Sequence, residues 1–193
     1  MSEPQGVVTF ATEETYLHAT DREREDAAQT FLSVEVSREL YGIPTEAVRE
    51  IIRVGEITEV PRTPPFLLGV ISVRGAIIPV LDLRRRLGFP PATTIARTAR
   101  IVIVATGAQR FGLSVDDVQG LERFRAADIE PAPNVFGGGR GGAERYIQAI
   151  GRAIDRPDRI VIFLELAVLV DLAADLAARL HAVRRRPDDE VRG

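Results

Sequence analysis

"YGIPTEAVREI", residues 41–51, returns in altered letters as "FGLSVDDVQGL", residues 111–121. The common phrase is aromatic, Gly, aliphatic, two free positions, acid, any residue, Val, two free positions, aliphatic. At the same spacing Leu32, Val34 and Arg53 align with Val102, Val104 and Arg123, and Pro61 aligns with Pro131. Further along, "IIPVLDL" at 77–83 matches "IVIFLEL" at 160–166, and the wider spacing is accounted for by a Gly-rich insertion around "FGGGRGGAER". Ordered agreement of this kind reads as an internal duplication. The first half covers about 31–99, and the second covers about 100–172 with the insertion at 137–145.

Each copy has the same local plan. In "FLSVEV", Phe31, Ser33 and Glu35 fall on one side and Leu32, Val34 and Val36 on the other, the period of a strand. "SREL" turns the chain and "YGI" resumes it, so a hairpin is predicted. Its counterpart is "RIVIVAT", a turn at Gly107, then "FGLSV". About five short strands per half, separated by Gly, Pro and Asp, predict a mainly β chain of two small barrels. Pro79 has no amide hydrogen, so its strand is expected at an edge or at a bulge. Helix is expected at "LDLRRRLG" and at the C-terminal end. There Leu169, Leu172, Leu176, Leu180 and Val183 form one apolar stripe, and residues 173–193 complete a helix and tail. Residues 1–30, ending in "TDREREDAAQT", read as a disordered leader.

Composition narrows the function. With 45% hydrophobic and 27% charged residues in 193, the chain can bury a core. It has no run of about 18 apolar residues and no secretory start, so a cytoplasmic protein without membrane insertion is expected. Absence of cysteine removes disulfides and thiolate chemistry. A net charge of −3 and few aromatics argue against nucleic acid as a partner. His18 and His181 lie outside both repeats, adjacent Asp116 and Asp117 read as a turn or cap, and no Gly-x-Ser-x-Gly elbow occurs. The Gly-rich loop lacks a P-loop's Gly-Lys-Ser/Thr ending, and the runs "DLRRRLG" and "VRRRP" are the one feature that could engage phosphates. No catalytic, cofactor or metal residues are therefore expected, which leaves a surface for proteins.

"PPFLLGVISVRGAIIPVLDLRRRLG", residues 64–88, resembles the signature of the CheW family, the adaptors between bacterial chemoreceptors and the histidine kinase CheA. The Pro-aromatic opening, Gly-Val, Arg-Gly and aliphatic-Pro-Val-x-Asp-Leu strand carry the likeness. The two repeated hairpins, "DIEPAP" and "RIVIFLELAVLV" extend it over residues 31 to about 172. Ser72 departs from the pattern, since many members carry Asn there. The resemblance implies two five-stranded SH3-like barrels with a hydrophobic groove between them, and a stand-alone, non-catalytic adaptor. Its implied partners are a CheA-type histidine kinase regulatory domain and the cytoplasmic tip of a methyl-accepting chemoreceptor. A related adaptor for a chemosensory-like pathway controlling surface motility, development or gene expression stays open. Val48, Glu50 and Arg74 match family positions tied to partner contact and signalling. Each has a structural alternative: core packing for Val48, whose mate is Val118, and an internal salt bridge for Arg74. Glu50 has Gly120 as its mate, so the duplicated architecture does not require its carboxylate.

Overall fold

Residues 28–132 and 142–171 are described in the structure, a computed structural model. Most of the leader, most of the Gly-rich insertion and the tail beyond 171 lie outside the described residues, as do His18, His181 and the apolar stripe past Leu169.

The strands follow the predicted alternation. β1 (Ala28–Val36) and β2 (Glu39–Pro44) form the first hairpin, followed by β3 (Val48–Arg53), β4 (Leu67–Val73) and β5 (Ala76–Asp82). A one-turn helix α1 (Leu83–Arg86) precedes the second hairpin, β6 (Arg100–Thr106) and β7 (Gln109–Val115). Then come β8 (Asp117–Arg125), the short β9 (Ile129–Pro131), β10 (Ile147–Ala153), β11 (Arg156–Leu164) and a helix α2 over residues 166–171. β1 begins three residues before Phe31, because Ala28, Gln29 and Thr30 pair with Arg125, Phe124 and Arg123 of β8.

Two sheets result, ordered β3-β6-β7-β5-β4 and β8-β1-β2-β11-β10-β9. Each curls into a small barrel. Thr58, past β3, bridges to Val70 of β4 in the first, and the Ile154 amide donates to the Arg123 carbonyl at 2.8 Å in the second. The two orders match position by position through the repeat, except that the second adds β9. The halves of the sequence are nevertheless not the barrels. The β6–β7 hairpin of the second half completes the first barrel, and the β1–β2 hairpin of the first half completes the second. The division near residue 99 marks the repeat and not the sheets.

This exchange explains the repeated aromatic-Gly pair. β2 runs parallel to β11 with Gly42 opposite Phe163, and β7 runs parallel to β5 with Gly112 opposite Val80. A Cβ on Gly42 would lie 2.6 Å from Phe163 Cδ1, and one on Gly112 would lie 2.7 Å from Ile101 Cγ2 and 3.2 Å from Val80 Cγ2. Only glycine leaves room for those side chains. The preceding aromatics, Tyr41 and Phe111, point the other way into a buried core between the barrels. That core also takes Leu32, Val34 and Val36 from β1 and Val102 and Val104 from β6, and α2 covers it with Leu166, Leu169 and Val170.

The barrel interiors have diverged. The first holds Ile71, Ile78, Val80, Ile101 and Ile103, and the second holds Phe31, Phe124 and Phe163, whose ring centroids lie 4.3–5.6 Å apart. Glu122 and Arg159, paired at 3.2 Å in the second, stand where the first has Ile52 and Ala76. Pro79 differs from expectation: β5 is flanked on both sides, by β7 and β4. Its ladder to β7 starts at Val80, one residue after the proline, and the bulge lies across the pair in β4, between Leu67 and Gly69. The missing donor thus falls just ahead of the parallel ladder.

Candidate functional site

β3 and the β4–β5 turn carry the predicted residues. Val48 pairs with Val104 and packs against the inter-barrel core, as its mate Val118 does. Its side chain is half-buried, packed on the core from one side. A bulge follows between Val48 and Glu50, and Glu50 then pairs with Ile103. Arg74 and Gly75 form the two-residue turn between Val73 and Ala76, with φ of 49° and 78°. Both fall in the left-handed region, the geometry of a tight hairpin turn in which arginine is strained and glycine is not.

The fold brings Glu50 and Arg74 together. Arg74 Nη2 donates to Glu50 Oε1 at 3.3 Å, with the side chains 83% and 34% exposed. An ion pair so open to water contributes about 0–1 kcal/mol, so it holds the two side chains in place weakly and can open without cost to the fold. What results is an exposed guanidinium beside a half-buried carboxylate at one end of the first barrel, suited to re-pairing with charged groups on another surface.

Around this pair, β3 presents Arg49, Ile51 and Arg53 to solvent. Ile51 is 41% exposed although it pairs with the core residue Val102, and its mate Leu121 is 67% exposed although it pairs with Leu32. Ile77 and Ile160, also repeat mates, are exposed as well. Between the barrels the described residues form a buried core, and these aliphatics lie outside it at the surface. Sequence reasoning missed them, because an aliphatic residue kept in both copies reads as core. A pocket of about 440 Å³ opens at the second barrel, lined by Gln29, Phe31, Ile129, Pro131, Gln148 and Phe163 among others.

The arginine run of "DLRRRLG" is spent internally and is not arranged for phosphate. Arg84 pairs with Asp116, Arg85 pairs with Asp82 at 3.0 Å, and Arg86 is buried. Asp116 has the bracing role expected of a turn residue. Its Oδ2 also accepts from the Ser37 amide at 2.7 Å, tying the β1–β2 turn to α1. Among the described residues, no group of three or more His, Asp or Glu is placed to hold a metal, and no helix is long and apolar enough to cross a membrane.

Comparison with known proteins agrees with this architecture. Residues 30–174 match the family described as the CheW-like domain. The chain is 39% identical over 122 residues to Protein FrzA of Myxococcus xanthus, covering 63% of this chain and 74% of that protein. It is 36% identical over 124 residues to the probable chemotaxis protein CheW of Rhizobium etli, covering 64% and 75% respectively. Its fold is similar to the crystal structure of the scaffolding protein TtCheW from Thermoanaerobacter tengcongensis. That likeness has a TM-score of 0.66 and 30% identity, and covers 75% of this chain and 94% of the other. With the signature at 64–88, the duplicated barrels and the family match over residues 30–174 in agreement, the chain belongs to the CheW-like domain family, as a chemosensory signalling adaptor and not an enzyme.

Proposed function

We propose that the protein couples a methyl-accepting chemoreceptor, through its cytoplasmic tip, to the regulatory domain of a CheA-type histidine kinase, working in the cytoplasm at receptor arrays. The observation that carries this reading is the pair of barrels fused through one core. Two outward faces held at fixed separation suit a part that bridges two proteins, each through an interface of about 1,200–2,000 Å². Glu50 and Arg74, with the half-buried Val48, are the contact residues we assign to one face. The likeness to FrzA favours a second reading, an adaptor of the same build in a chemosensory-like pathway with another output, such as surface motility. Titrating the purified protein with a receptor cytoplasmic fragment and, separately, with the kinase regulatory domain tests the coupling. Both should bind, and binding of one should leave room for the other; binding to neither would overturn it. Deleting the gene and scoring swimming against surface spreading separates the two outputs.

A further inference from the structure

Repeat mates meet at one point in the molecule. Asp82 and Glu165 are mates, and their amides donate to the carbonyls of Phe66 and Tyr146 at 2.7 and 2.8 Å, which makes those aromatics mates as well. Strand pairing agrees, with Leu67 opposite Leu81 in one copy and Ile147 opposite Leu164 in the other. By the spacing of "LDLRRR" and "LELAVL", Arg86 of α1 corresponds to Leu169 of α2. Arg86 reaches its own mate: Nε donates to the Leu169 carbonyl at 2.8 Å, and Nη2 to the Val168 carbonyl at 3.4 Å. Its guanidinium lies over both mated rings, 4.2 Å from the Phe66 centroid and 4.5 Å from that of Tyr146. A residue that touches its own mate sits beside the axis relating the two copies.

The copies cannot both carry arginine there, because two buried guanidinium groups would face each other across the axis. One has Arg and the other Leu. Only 8% of Arg86 is exposed, and no carboxylate is bonded to it among the hydrogen bonds and ion pairs described. Burial pushes its pKa below the ordinary value, with Tyr146 and Asp171 opposing and Arg145 adding to the fall, yet an arginine stays charged. A desolvated cation held by two rings and two carbonyls accepts one geometry. Its bonds join segments of the first half, at 66 and 86, to segments of the second, at 146 and 168–169.

We propose that Arg86 is a positioning residue that fixes the orientation of one barrel against the other, and hence, on the adaptor reading above, of the two partner faces. The hairpin exchange ties the barrels together, and Arg86 selects the angle at which they rest. The chain has no cysteine, so labels can be placed cleanly at Arg53→Cys in the first barrel and Arg152→Cys in the second, both exposed. Spin-label distances measured on this full chain without partners should give one narrow distribution. Arg86→Met and Arg86→Lys should both broaden it, because neither offers a flat stacking fork. Hydrogen exchange at Leu169, whose amide is bonded to Glu165, should speed by about tenfold or more in the same variants. If Arg86→Met fails to fold by circular dichroism, Phe66→Leu and Tyr146→Leu each remove one ring and should broaden the distribution less. Tyr146→Phe keeps the ring and should leave it narrow. A narrow distribution in every folded variant that lacks Arg86 or a ring would overturn the proposal. Partner titration plays no part in this readout, so failure here and failure of the adaptor reading are separable.

Discussion

At the scale of single residues, shared and unshared positions of the repeat answer to different physics. Gly42 and Gly112 are shared because neighbouring side chains occupy the place of a Cβ: Phe163 of the parallel strand at Gly42, and Ile101 of the antiparallel β6 with Val80 of the parallel β5 at Gly112. Gly42→Ala should therefore cost about 1–3 kcal/mol, read as a lower urea midpoint. Gly55→Ala, where nothing lies within 4 Å, should leave the midpoint unchanged or slightly raised. Glu50 and Arg74 are unshared and meet only on the surface. Glu50→Arg and Arg74→Glu should each change stability by under about 1 kcal/mol and lose partner binding. The double exchange rebuilds the internal pair with its charges reversed. It should still fail to bind, and recovered binding would mean that the pair matters only to the fold. The pairing itself was not legible in the sequence. Glu50 and Arg74 are 24 residues apart on strands at opposite edges of one sheet, and only closure of the first barrel, marked by the Thr58–Val70 bridge, brings β4 and its turn back to β3.

At the scale of elements, the strand period in "FLSVEV" and "RIVIVAT" was legible, but burial was not read from it: both faces of β1 and β6 are covered, Ser33 included, and the two faces enter different cores. Turn chemistry was less legible. The β1–β2 turn uses Ser37 and Arg38 at φ of 54° and 69°, residues poorly suited to the left-handed region, and the Asp116 carboxylate holds the Ser37 amide in compensation. The corresponding β6–β7 turn uses Gly107 at 58°. Replacing Ser37-Arg38 by Asn-Gly should stabilise the hairpin by up to about 1 kcal/mol. In a chain of this size that raises Tm by about 2–4 °C in a thermal scan. Arg86 was hidden for another reason. Three arginines in a row look alike, and only helical phase sends Arg84 and Arg85 to carboxylates and Arg86 into the core.

For the whole molecule, the duplication and the barrel class were legible because hydrophobic period and turn residues are local. The hairpin exchange was not, because periodicity marks a strand and not which strand lies beside it. The exchange predicts that fragments 28–99 and 100–171, made separately, each lack a complete barrel. Alone they should be unfolded by circular dichroism, whereas the intact chain should unfold in one transition by every probe. Two folded fragments would refute the interleaved order. During synthesis the same order imposes a delay. Gly42 leaves the ribosome about 120 residues before Phe163, its neighbour in the finished sheet. At about 5–20 residues per second, the first hairpin waits some 6–24 s with an open edge. A nascent chain of this design therefore needs shelter from its neighbours until β11 emerges, and slower translation lengthens that exposure.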